Sequence, residues 1–309
     1  MRAVATPSPA RAWALGVLAM ALFGLTLPMT QLATGPAGAP QLSPGFVTCA
    51  RGVVAATLSA LLLAATRAPW PAPRQWALLA VAALGNAVLY PGLLALALRS
   101  VSAQHAAVIT ALAPLLTSVV AAAVWRQRAG AGFWACALAG CALVLAFSLW
   151  RAQQAGAGWR PAPAAHGLAL GVLAASVGYV AGARVTPALG AERTICWVTL
   201  AALPLTGPGA VWAFHAQGGW PALAAVAPSA WAGFAYVSLF SMWIAFFAWY
   251  RALAAGDAVR LSQVQLLQPF FAMAFAWPLL GQPVAPVSGL FAAAVVATVW
   301  LGRRIAGGG

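Results

Sequence analysis

Lysine does not occur anywhere in these 309 residues, and acidic side chains occur only as Glu192 and Asp257. So few titratable groups exclude paired-carboxylate chemistry, an HExxH motif and any Ser/His/Asp set. A glycine-rich phosphate loop is also missing, so neither an enzyme nor a bound cofactor is expected. Cysteine is sparse. Cys49, Cys136, Cys141 and Cys196 lie in apolar stretches away from histidine and acid. That placement supports neither a zinc site nor a disulfide framework, and all four read as small packing residues. Charged residues make up 6% of the chain, against about 25% in an ordinary soluble domain. With 63% hydrophobic residues and a mean hydropathy of +0.90, no soluble fold could cover the apolar surface. The chain is expected to be an all-α membrane protein.

What is abundant fits that class. Apolar runs near the 20-residue length of a membrane crossing fall at Trp13–Leu32, Phe46–Ala65, Trp76–Leu98, Gln104–Trp125, Phe133–Trp150, Gly167–Thr186, Thr194–Phe214, Trp231–Ala252, Ala258–Leu280 and Val284–Leu301. Tryptophan marks many of their ends, as at Trp13, Trp76, Trp125, Trp150, Trp231 and Trp300, where an amphipathic ring suits the headgroup layer. The net charge of +14 rests on arginines in short loops, with no basic, aromatic-interleaved stripe, so nucleic acid is not an expected partner. With the N-terminus inside, Arg2, Arg11, Arg67, Arg74, Arg126, Arg128, Arg184, Arg193, Arg251, Arg260, Arg303 and Arg304 fall on the inner face. Only Arg99, Arg151 and Arg160 fall outside. This bias predicts cytoplasmic termini in a bacterial inner membrane.

The chain also repeats itself. ALGVLA occurs at Ala14–Ala19 and at Ala169–Ala174, and the same offset carries Ala97-Leu98 onto Ala252-Leu253, Pro114 onto Pro269 and Gln127 onto Gln282. Five spans per half is an odd number, so the halves enter the membrane from opposite sides, as inverted repeats of secondary transporters do. The predicted organisation is a cytoplasmic N-terminus (1–12), a first five-helix repeat (13–150), an outer linker (151–166), a second repeat (167–302) and a cytoplasmic C-terminus (303–309).

These features resemble the EamA-like family of the drug/metabolite transporter superfamily over nearly the whole chain. The resemblance rests on an Ala-Leu pair, a short turn and an apolar helix with a proline, at Ala97–Pro114 and Ala252–Pro269, and on SQVQLLQPF at Ser262–Phe270. Arg51 matches an arginine common in the family's second helix. Gln127 and Gln282 stand where relatives often have glutamate, and Phe23-Gly24 replaces a tryptophan-glycine pair. The resemblance implies a transporter of amino acids, metabolites, drugs, sugar phosphates or lipid-linked sugars, with a central cavity lined by spans 1, 3, 4, 6, 8 and 9.

Intramembrane polar groups are costly and turn toward the protein interior. Span 9 carries Ser262, Gln265 and Gln268 before Pro269; span 4 carries Thr110 and Pro114; span 3 carries Asn86 and Tyr90 beside Pro91. A proline frees the carbonyl four residues back, here Gln265 and Thr110, so these groups read either as solute ligands or as interhelical hydrogen-bond glue. Tyr236, Phe240, Trp243, Phe247 and Tyr250 share one face of an ideal helix. Their counterparts at the offset are Val81, Gly85, Val88, Gly92 and Ala95. The stripe reads as packing or as an aromatic wall beside the solute, with Tyr236 and Trp243 the candidates to touch it. Arg51, about 8 Å inside span 2 at 1.5 Å per residue, is expected to snorkel to the headgroups. Glu192 and Asp257 are expected to pair with Arg193 and Arg260, and His105, His166 and His215 to be solvated. The expected activity is secondary transport, in the export direction, of a small metabolite, amino acid or drug-like solute. A flippase for a lipid-linked substrate and a membrane scaffold are the alternatives. The expected partners are the solute and membrane lipids, and a homodimer is left open.

Overall fold

The computed structural model describes residues 8–35, 38–97, 109–126, 130–154, 163–255, 258–281 and 286–305, and every regular element among them is helical. Serine followed by proline opens the first two helices, α1 (Pro9–Thr34) and α2 (Pro44–Ala65). Ser8 Oγ accepts the Arg11 N–H at 3.4 Å and Ser43 Oγ accepts the Phe46 N–H at 3.2 Å. Each cap satisfies one orphan donor, and proline at the first turn loses nothing because its N–H would have had no partner.

The third rod, α3, joins Pro73–Ala83, a π-helical segment Leu84–Leu89 and Tyr90–Ala97. Then come α4 (Ala113–Trp125), α5 (Ala131–Gln154), α6 (Pro163–Leu189) and α7 (Ala191–Ala216). A short helix, Gly219–Ala224, leads to α8, built from Pro228–Tyr236, a second π segment Val237–Ile244 and Ala245–Leu253. Rod α9 joins Ala258–Leu261, a 3₁₀ segment Ser262–Leu267 and Gln268–Leu280, and α10 is Pro286–Ile305.

Seven stretches, in α1, α2, α3, α5, α6, α7 and α8, are long and apolar enough to cross a membrane, and Ala113–Trp125 and Pro286–Gly302 are shorter apolar helices. Side chains such as Leu61, Trp212 and Leu290 point outward, more than 60% exposed, as a lipid-facing surface requires. The chain is thus a multi-pass membrane protein. The expected spans 4 and 9 differ from uninterrupted helices. Regular α-helix starts at Ala113 and resumes at Gln268, one residue before Pro114 and Pro269, because proline has no N–H to continue the turn beneath it.

Helices pair mainly across the two halves of the chain. Helix α2 lies along α7, and α5 along α10; α1 is clasped by α8 and α9, and α6 by α3 and α4. Lipid is as apolar as leucine, so close backbone approach and interhelical hydrogen bonds hold such contacts. A Cβ on Gly24 would stand 2.6 Å from Phe271 Cβ, and one on Gly233 would stand 2.5 Å from the Met29 carbonyl. Thr26 donates to Ser241 (2.8 Å), Thr117 to Ser176 (3.1 Å) and Thr199 to Ser59 (2.8 Å), each tying one half to the other. Cys141 and Cys196 are buried, as packing residues would be, whereas Cys49 and Cys136 are half-buried. Glu192 pairs with Arg251, not with its neighbour Arg193: a turn from α7 faces the end of α8, and the ion pair joins the two. His166 and His215 are exposed. Asp257, His105, Gln127 and Gln282 lie outside the described residues.

Candidate functional site

The irregular segments mark where the halves meet. Asn86, in the π segment of α3, is buried, and its Nδ2 donates to the Tyr250 hydroxyl of α8 at 3.1 Å. Both side chains fit because α6 presents glycine to them. A Cβ at Gly178 would lie 2.8 Å from Asn86 Nδ2, and one at Gly182 would overlap the Tyr250 ring. Tyr90, half-buried, follows one turn after Asn86 and packs over Gly171.

A second crossing joins α4 and α9. Ser118 Oγ lies 2.7 Å from Ser262 Oγ, accepts from Gln263 Nε2 at 2.6 Å, and stands 2.9 Å from the Pro114 carbonyl. Ser262 Oγ donates to the Val259 carbonyl at 2.7 Å. Pro114 is buried and Thr110 half-buried at the residue before the Ala111-Leu112 turn. Gln265 is buried and turned onto its own helix, Nε2 donating to the Ser262 carbonyl at 3.2 Å. Its backbone carbonyl is not left free by Pro269. The 3₁₀ segment tightens so that the Gln268 N–H takes it up. Gln268 and Pro269 are half-buried, and the Gln268 carbonyl abuts Gly24 of α1. Ser118 and Gln263 were not among the residues singled out from sequence. The available signal was a serine one turn after Pro114, on the face that Pro114 shares.

The aromatic residues of α8 do not form one wall. A π turn is wider than an α turn, so Val237–Ile244 shifts the stripe's register midway. Tyr236 stacks on Phe240 (5.2 Å, 11°), and its hydroxyl donates to the Leu22 carbonyl of α1 at 2.9 Å. Trp243 meets Phe247 edge-on at 4.9 Å. Phe240 is 41% exposed while Tyr250 is fully buried, and Ser241, Met242, Phe246 and Trp249 take the interior face between them. Among the described residues, a cleft of about 10 Å³, the size of one water, lies between Trp13, Phe133, Arg260, Gln263 and Thr298. It does not border Tyr236 or Trp243. The residues singled out from sequence are therefore spread over several helix contacts, with Asn86 against α8, Tyr90 against α6, and Tyr236 and Gln268 against α1.

Arg51 does not snorkel. Its Nη2 points inward to Met242 Sδ, 3.4 Å away in the π segment of α8. Its Nε is buried without an acceptor, and Tyr90 of α3 and Tyr179 of α6 lie within electrostatic range. Interior packing wins because α2 runs against α3, α7 and α8, leaving the side chain flanked by protein.

Known proteins match this architecture. A solved structure described only as the crystal structure of a protein has the same fold at a TM-score of 0.74, with 20% identity over 96% of this chain and 98% of that one. "Uncharacterized transporter YdeK" of Bacillus subtilis (strain 168) is 35% identical over 294 residues, 95% of this chain and 97% of its own length. The model of the EamA-like transporter family matches twice, over residues 10–149 and 162–302. With that coverage, this helical membrane protein belongs to the EamA-like transporter family and is, as that family is, a transporter, not an enzyme.

Proposed function

We propose that this protein is a secondary transporter that exports a small metabolite, amino acid or drug-like solute by alternating access between two inverted five-helix halves. In this reading ten helices cross a bacterial inner membrane, the halves are residues 13–150 and 167–302, and both termini are cytoplasmic. The observation that carries it is the correspondence of the two π segments. The 155-residue offset that aligns ALGVLA, Pro114 and Pro269 carries Leu84–Leu89 onto residues 239–244, inside Val237–Ile244. Each segment packs on the first helix of the other half, Leu84–Leu89 on α6 and Val237–Ile244 on α1. Segments with i→i+5 bonds are rare and recur at functional sites. Paired across a pseudo-twofold, they suit two gates that exchange roles.

The solute path lies between the halves, bordered by Asn86, Tyr90, Thr110 and Pro114 on one side and Tyr236, Trp243, Gln265, Gln268 and Pro269 on the other. Transport is tested by protein-dependent uptake of label from a radiolabelled small-metabolite pool into proteoliposomes. Topology is tested with single cysteines at Arg126, Arg251 and Gly218 in a background lacking the four native ones. A membrane-impermeant thiol reagent added to intact cells labels only position 218 if the halves are inverted. Labelling at 126 or 251 refutes the arrangement.

A further inference from the structure

In the sequence Arg51 is the only charged side chain deep within an apolar span, and among the described residues no acid pairs with it. The sequence holds two acids. Glu192 is engaged by Arg251, and Asp257 immediately precedes Ala258 at the start of α9, on the proposed cytoplasmic side. Arg51 lies about 10 Å along α2 from its opposite end, at 1.5 Å per residue from Pro44. A guanidinium carries five donors. One goes to a thioether sulfur, a weak acceptor, and Nε goes to nothing. The Asn86 amide oxygen, one turn from Tyr90, is likewise buried with no donor. A cation in this setting is retained at high cost and marks a functional site unless something pairs with it. The residue is only part-buried by its own surface, so a partner from outside the chain can reach it.

We propose that Arg51 is the anion-binding group of the solute path and that the solute is a small monocarboxylate. One positive charge matches one negative charge, whereas a phosphate dianion would leave an unpaired charge in the same low-dielectric setting. The planar fork of a guanidinium fits the two oxygens of a carboxylate. Asn86 Oδ1 offers an acceptor for a hydroxyl or amide of the solute, and Tyr90 and Tyr179 lie within electrostatic range of the guanidinium. The equivalent position in the second half is Thr206, buried and bonded to its own helix, so the path has one such site. The site also touches both moving parts, because Arg51 reaches from α2 to the π segment of α8 while Tyr90 caps that of α3. This inference rests on the transport reading.

The test extends the uptake assay. Proteoliposomes are given the radiolabelled metabolite pool, and the retained label is resolved by anion exchange into neutral or cationic, monoanionic and polyanionic fractions. Wild-type protein is expected to retain monoanions. Their uptake should fall about tenfold or more in Arg51→Gln, the weight of a lost charge-assisted hydrogen bond, and by a smaller factor in Arg51→Lys. A Leu290→Ala variant, on the exposed apolar surface, should retain uptake, and each variant is checked for a monodisperse, cooperatively melting protein. If Arg51→Gln does not fold, the graded loss in Arg51→Lys decides. Monoanion uptake that persists unchanged in the variants overturns the proposal, as does retained label that is only neutral, cationic or polyanionic, while the transport reading stands. No protein-dependent uptake of any fraction overturns both.

Discussion

Replacing Ser118 by alanine removes the centre of the α4–α9 contact, and hydrogen-bond bookkeeping fixes the outcome. A hydroxyl has one proton and two lone pairs. Ser262 spends its proton on the Val259 carbonyl at 2.7 Å, so Ser118 donates toward Ser262 Oγ or the Pro114 carbonyl and accepts from Gln263 Nε2. In Ser118→Ala the Ser262 hydroxyl still donates to the Val259 carbonyl, but the Gln263 amide, on a residue 6% exposed, loses its acceptor. An abandoned buried donor costs about 1–3 kcal/mol, and interhelical polar contacts in membranes average about 0.6 kcal/mol. The cleft beside Gln263 has room for one water, which pulls the expected loss to about 1 kcal/mol. Replacing both partners leaves nothing unpaired, so Ser118→Ala/Gln263→Leu should cost less than the sum of the single changes by about 0.5–1 kcal/mol. Reversible denaturant unfolding in micelles measures all three variants. Additivity within about 0.3 kcal/mol would refute the node, since Gln263 would then not depend on the serine hydroxyl.

Gly182→Leu should destabilise by about 1–3 kcal/mol or abolish folding, because the added atoms collide with the Tyr250 ring. Gly92→Ala, with open space around its Cβ, should stabilise by about 0.5–1 kcal/mol in the same unfolding assay. Glu192→Gln should change the midpoint by less than about 1 kcal/mol, and raised salt should erase the difference, because the ion pair with Arg251 is more than a third exposed at both ends. Uptake into proteoliposomes should proceed without a pH gradient, since Asp257 and Glu192 are the only acids and neither is expected within a span. Uphill accumulation driven by a gradient in wild type, lost in Asp257→Asn, would make that residue the coupling site.

Much of the fold could be read from the sequence because its cues are local. Apolar length set the rods, tryptophan marked many of their ends, and the offset between Ala14–Ala19 and Ala169–Ala174 marked the repeat. Three features escaped besides the inward turn of Arg51. The stripe from Tyr236 to Tyr250 was spaced for an α-helix throughout, and a π segment has no composition of its own. It forms where tertiary packing accommodates a wider turn, here against α1 and α2. Pro269 promised a free Gln265 carbonyl, but a 3₁₀ turn absorbs that carbonyl within the chain. Glu192 was assigned to adjacent Arg193, whereas its partner is 59 residues away, a contact visible only once α7 and α8 are side by side.

The exchange of helices between halves also bears on how the chain is made. The glycine and threonine face of α1 is covered by α8 and α9, and roughly 190 residues separate Thr34 from Pro228, so at about 5–20 residues per second the ribosome needs some 10–40 s to supply the cover. Through that interval Thr26 and Gly24 must face lipid, the insertion machinery or a provisional neighbour. A nascent chain stopped after residue 150 would carry α1 to α5 with their seams toward the second half open, and not half of a finished protein. Quality control that senses polar groups in the bilayer would therefore act on the first half until the second arrives.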